Sequence, residues 1–145
     1  MLGLLAQLAG DDRLRDALQS HSRIIAPPSS NPFLIALKAA EQPVLVVTSS
    51  SRGAEDLAED LRNLHSIVLE FPAWETLPHE RLSPRSDTVA RRIQTLNQLA
   101  HSDSKLNPIV VTPVRGVIHR IIATLGKDAL LQLEIGKDQS LDELV

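Results

Sequence analysis

Val44-Leu45-Val46-Val47 is an unbroken apolar run, rich in β-branched residues, followed at once by Thr48-Ser49-Ser50-Ser51-Arg52-Gly53 and then by a helical pattern. Apolar residues without alternation predict a strand covered on both faces, as in parallel sheets. Ser51 predicts an N-cap, and behind it Ala54, Leu57, Ala58, Leu61 and Leu64 fall on one stripe while Glu55, Asp56, Glu59 and Asp60 fall on the opposite one. The same strand-helix unit recurs downstream. Ile67-Val68-Leu69 reads as a strand, and Ser86 or Asp87 caps a helix whose Val89, Ile93, Leu96 and Ala100 are expected to face inward and Arg91 outward. After a polar linker over 101–107, residues 108–111 form another buried-type strand. Thr112-Pro113 then caps a helix running through Val117, Ile118 and Ile121. Upstream, Leu2, Leu5 and Leu8, then Leu14, Ala17 and Leu18 behind Asp11 and Asp12, predict two short amphipathic helices. Arg23-Ile24-Ile25-Ala26 reads as a brief strand, and Asn31-Pro32 opens a helix through Phe33, Leu34, Leu37 and Ala40. Strands alternating with helices predict an α/β fold, a three-layer parallel sheet with helices on both faces.

Composition is consistent with that class. At 145 residues and 43% hydrophobic the chain can hide roughly 70% of its unfolded surface in one domain, but not in two full ones. With no cysteine there is no disulfide, thiolate zinc site, iron–sulfur cluster or cysteine nucleophile, and a reducing compartment, the cytoplasm, is expected. The apolar stretch 1–10 has no basic flank and is too short to span a bilayer, so neither export nor a membrane partner is expected. A net charge of −3 gives no bulk attraction for nucleic acid, and three aromatic side chains are too few for a base-stacking platform.

A strand, loop and helix over 23–40 stand where a nucleotide-binding α/β domain keeps its phosphate loop. That loop needs glycines, free N–H groups, a Lys and a Ser or Thr. Here it reads Ala26-Pro27-Pro28-Ser29-Ser30-Asn31-Pro32, so three prolines delete three donors, no glycine is present, and Lys38 lies inside the helix. Ser49-Ser50-Ser51-Arg52-Gly53 could take an anion on its amides, or could simply be a serine-capped turn. His21, His65, His79, His101 and His119 are scattered, and His79-Glu80 lacks the second His of a zinc-protease helix, position 83 being Ser83. No metal site, no G-x-S-x-G elbow and no acid/base pair is expected, so no catalytic residue is assigned.

Regular structure should stop over 71–85, where Pro72, Pro78 and Pro84 exclude helix and central strand. A loop of this length in a compact domain is usually functional. Phe71 and Trp74, with Glu75, Arg81, Arg85, Arg91 and Arg92, combine the aromatic and Arg residues that interfaces concentrate, and they form the candidate interface. The competing reading has the aromatics sealing the sheet edge and the arginines pairing with neighbouring carboxylates.

The string Phe71-Pro72-Ala73-Trp74-Glu75-Thr76-Leu77-Pro78-His79-Glu80-Arg81-Leu82-Ser83-Pro84, followed by Asp87 and the helix behind it, resembles the N-terminal region of the bacterial transcription-repair coupling factor family. The strand and acidic helix of 44–64 and the strand at 108–112 fall in that family's order, and the resemblance runs over about residues 20 to 135. It implies a RecA-like domain related to the excision-repair protein UvrB that has lost its nucleotide site, over 1–125. The start of a UvrA-docking domain would occupy 126–145. UvrB itself would keep a glycine-rich loop and a tyrosine-rich hairpin, and this chain has no tyrosine.

The resemblance further implies that the full-length family protein uses ATP and magnesium to translocate on double-stranded DNA. It would displace stalled RNA polymerase and recruit UvrA in nucleotide excision repair. This chain would need no cofactor and would contact other domains of the same protein. Residues 130–135 alternate like a half-exposed strand, and Ser140 with Glu143 forms a capping box close to the end, so the chain is expected to be the front of a longer protein. Two other readings differ in class: a free-standing NTPase or phosphate-binding enzyme using residues 49–53, and a small adaptor complete in itself.

Overall fold

The computed structural model describes residues 2–20, 23–76, 83–101, 107–121, 135, 136 and 138. Helices α1 (Leu2–Ala9) and α2 (Asp12–Gln19) come first, the second capped by the Asp11 carboxylate, which accepts from the backbone N–H groups of Arg13 and Leu14. A single 3-10 turn over Pro28–Ser30 leads into α3 (Asn31–Ala39), with Pro32 in its first turn where its missing N–H costs nothing. Then follow β1 (Val44–Thr48), α4 (Ser51–Arg62), β2 (Val68–Glu70), α5 (Ser86–His101), β3 (Ile109–Pro113) and α6 (Val114–Ile118).

The strands form one parallel sheet in the order β1-β3-β2, with Val44 opposite Ile109 on one side of β3 and Val68 opposite the same residue on the other. Parallel strands need helical crossovers, and α4 and α5 supply them. As the middle strand, β3 is buried along its whole length. On one face, Ala54, Ala58 and Leu61 of α4 and Ala39 of α3 pack on Ile109 and Val111, with Val44, Val46 and Val68 around them. The helical stripe expected for α4 is therefore the one that is buried. On the other face lie α5 and α6, so the fold is α/β with helices on both faces of a small parallel sheet.

Four local expectations are corrected. Residues 23–26 form no strand, because Pro27 and Pro28 follow directly and Ile25 stands 88% exposed with no sheet partner. β1 is not covered on both faces. It alternates, with Val44 and Val46 packed inward and Leu45 and Val47 open, because α6 ends after five residues and leaves the second face of this edge strand uncovered by the described residues. Leu45, Leu96, Leu99, Val117 and Ile121 line the resulting apolar groove of about 370 Å³.

The third correction concerns α5, where Thr88, Arg92 and Thr95 are buried while Ala100 is exposed. In the fourth, Thr112 belongs to β3 rather than capping α6, and Ile121 lies beyond that helix. The 102–106 part of the linker, residues 130–134 of the expected last strand, the Ser140 cap and Arg81 fall outside the described residues.

Candidate functional site

The polar face of α5 turns inward because of what it meets there. Beyond Glu70 the chain leaves the sheet, and a proline-rich segment cannot satisfy its own carbonyl groups by regular pairing. Thr88, Arg92 and Thr95 stand at i, i+4 and i+7 on one helix face and supply the donors. Thr95 Oγ1 donates to the Glu70 carbonyl at 2.7 Å, and Arg92 Nη1 donates to the Pro72 carbonyl at 2.6 Å. The Thr88 hydroxyl donates to the Glu75 carboxylate, whose other oxygen accepts the Arg85 N–H at 3.3 Å. At the start of the segment the Phe71 N–H still reaches the Val111 carbonyl at 2.9 Å, one last rung of the sheet.

Arg92 is the centre of this arrangement. Only 4% exposed, it places its guanidinium carbon 3.9 Å from the centroid of the Phe71 ring and 4.3 Å from that of Trp74. A cation held between aromatic faces out of water is attracted more strongly than one on the surface. Burial lowers its pKa from the usual arginine value, but a guanidinium keeps its proton under ordinary conditions.

Beside this stack Glu70, Glu75 and Asp87 each have a described partner. Glu70 accepts from Arg62 of α4 and lies 3.6 Å from Arg91 of α5, so one carboxylate ties two helices to β2. Arg91 also bonds Asp87 one turn earlier, which lowers the Asp87 carboxyl and raises the Arg91 guanidinium. The Glu75 carboxyl is held below its ordinary value mainly by the Thr88 hydroxyl.

From the other side α6 closes in. A Cβ on Gly116 would collide with Thr112 Oγ1 and stand 3.1 Å from the Phe71 carbonyl oxygen, so only glycine lets this helix rest on the segment. Three residues on, His119 has a buried Nδ1 without a hydrogen-bond partner, and burial, followed by the charges of Arg92 and Arg115, lowers its pKa.

Of the sequence-derived candidates, the structure thus brings Phe71, Trp74, Glu75, Arg85, Arg91 and Arg92 together. Phe71 and Arg92 are buried, Trp74 is half-buried, and Glu75 and Arg85 are exposed. Thr88, Thr95, Gly116 and His119 join them without having been singled out. The signal that could find them is the helical spacing of Thr88, Arg92 and Thr95, which apolar periodicity does not count.

At 49–53 the N-cap of α4 is Ser50 rather than the expected Ser51: Ser50 Oγ accepts the Gly53 N–H at 3.1 Å and Thr48 Oγ1 donates to the Ser50 carbonyl. In open α/β sheets ligands bind beyond the carboxyl ends of the strands. Here Ser51, Glu70, Phe71, Pro72 and Pro113 crowd that end, and the gap they line measures about 20 Å³, space for about one water. Among the described residues no group of three His, Cys, Asp or Glu could hold a metal ion, and no helix is long and apolar enough to cross a membrane.

These features define a small parallel α/β module whose strand ends are filled by its own chain and locked by a buried arginine. No family model matches the chain. It is, however, 42% identical over 127 residues to the transcription-repair-coupling factors of Mycobacterium bovis and Mycobacterium tuberculosis, an alignment covering 84% of this chain and 10% of each of those proteins. The factor of Haemophilus influenzae is 33% identical over 78 residues, covering 53% of this chain and 6% of that protein. The chain belongs with the transcription-repair-coupling factors and spans about 10% of the length of the curated relatives it matches.

Proposed function

We propose that the chain is a non-catalytic scaffold and interaction module of a transcription-repair-coupling factor, a RecA-like, UvrB-related domain without a nucleotide site of its own. The observation that carries this reading is the 42% identity over 84% of the chain to coupling factors. The geometry supports it in three places. The 26–32 stretch has Pro27, Pro28 and Pro32 and no glycine, whereas a phosphate cradle needs glycines and free N–H groups. The first turn of α4 is capped by its own serine, and the carboxyl end of the sheet is crowded by proline and phenylalanine.

In this reading the longer protein is an ATP-dependent DNA translocase acting in the cytoplasm, with ATP and magnesium bound by residues outside this chain. RNA polymerase, UvrA and double-stranded DNA are partners of the whole protein. The module itself contacts other domains of the same protein. Titration of the chain with magnesium-ATP, followed by calorimetry, tests the scaffold assignment. No saturable heat is expected, whereas stoichiometric saturable binding overturns it in favour of an enzyme using residues 49–53.

A further inference from the structure

β1 is an outer strand of the sheet, since among the described residues β3 alone pairs with it. The Val44 N–H donates to the Pro108 carbonyl at 3.0 Å, so Val44, Val46 and Thr48 turn their backbone groups toward β3. Leu45 and Val47 therefore point their N–H and C=O groups toward the free edge. Their side chains stand 60% and 48% exposed on one face, the face whose apolar groove Leu45 lines. Natural edge strands are guarded against further pairing by charge, proline, a bulge or a covering element. Over 44–48 the chain carries no charged residue and no proline, and its register with β3 runs unbroken.

We propose that β1 pairs antiparallel with β1 of a second copy of this chain, about a two-fold axis at Val46, joining the two three-stranded sheets into one continuous sheet. The strand is self-complementary in this register. Leu45 of one copy stands opposite Val47 of the other, and because both face the free edge, each such pair exchanges both of its backbone hydrogen bonds. The same pairs set apolar side chains next to each other on one face, the contact that stabilises neighbouring strands. The two exposed residues lie symmetrically about Val46, so the match needs no other sequence.

The flanks of the strand match as well. Glu41 lies just ahead of β1, and Arg52, which also pairs with Asp56, lies just behind it in the first turn of α4; both are exposed. Antiparallel pairing brings the acidic end of one strand to the basic end of the other, on both sides of the axis. The two-fold keeps both exposed faces on the same side of the joined sheet. The two grooves, each bordered by Leu45, Val117 and Ile121, then adjoin, and apolar surface that a single copy leaves open is covered. The pairing uses β1 alone and goes beyond the scaffold reading, which it neither requires nor alters.

Sedimentation velocity of the full chain over a wide range of concentration tests the pairing, with far-UV circular dichroism on the same samples. The expected result is a reversible equilibrium between monomer and dimer. Leu45→Lys places a charge in the paired face twice in each dimer and should raise the dissociation constant about tenfold or more with the helical signal unchanged. The double variant Leu45→Lys/Val47→Glu sets opposite charges across the axis and should recover most of that loss. A chain that stays monomeric at every concentration, or that assembles beyond a dimer, overturns the proposal, as does a dimer that Leu45→Lys leaves intact. A double variant as weak as the single one contradicts the register and with it the proposal. Should a variant fail to fold, amide exchange on the wild type decides: the Leu45 and Val47 N–H groups should gain protection as the dimer forms, and unprotected amides in the dimer contradict the pairing.

Discussion

Arg92 shows how a residue type taken at face value can mislead. Arginine beside aromatics in a proline-rich segment suggests a surface for a partner, yet this arginine is spent within the fold. Its guanidinium is stacked by Phe71 and Trp74 and bonded to Pro72. Lysine would keep the charge but lose the planar fork and much of the stacking, so Arg92→Lys should behave much more like Arg92→Ala than like the wild type. We expect Arg92→Ala to lower stability by roughly 2 kcal/mol in urea unfolding, the sum of a desolvated cation–π contact and a charged hydrogen bond. Arg85→Ala, at an exposed side chain whose backbone N–H makes the described bond to Glu75, should change stability by less than about 0.5 kcal/mol. The presence of the Phe71/Trp74 pair was readable in the sequence. Its partner was not, because nothing in a single sequence states that an arginine twenty residues further on lies between the two rings.

At the scale of elements, the types of α4, β2 and β3 follow from apolar periodicity, since these elements bury what their patterns offer, while β3 runs on to Pro113 where a helix cap is expected. α5 does not. It packs against backbone carbonyls rather than against a smooth apolar face, so its donors turn inward and Leu99 and Ala100 turn out. In such a helix the most buried stripe carries the donors, with Val89, Ile93 and Leu96 half-buried beside it.

Two substitutions test the element contacts. Ser50→Ala removes the side-chain acceptor of the Gly53 N–H and should cost about 1 kcal/mol by thermal unfolding. Gly116→Ala places a methyl group against Thr112 and the Phe71 carbonyl and should displace α6, read as loss of Trp74 protection from acrylamide. An unchanged Trp74 signal would show that α6 does not rest on the segment.

For the molecule as a whole, the parallel α/β class was legible because strands and helices alternate, and the α3/α4 face of the sheet is complete. Leu61→Ala, at the buried centre of that face, should cost about 2–5 kcal/mol. The other face of β1 is where reasoning from an apolar run overreached. Leu45 is 60% exposed and borders the 370 Å³ groove, so continuous hydrophobicity here signals surface that the described residues leave open.

Trp74 and Arg92 belong to the body of the domain, so that the whole molecule's stability depends on their contact. A double-mutant cycle with Trp74→Ala, Arg92→Ala and the double variant, read by urea unfolding of the full chain, measures it most directly. The predicted result is a coupling energy of about 1 kcal/mol or more, the double variant losing clearly less than the two single losses together. Strict additivity, with Trp74→Ala near neutral, would contradict the claim and return Trp74 to the free surface.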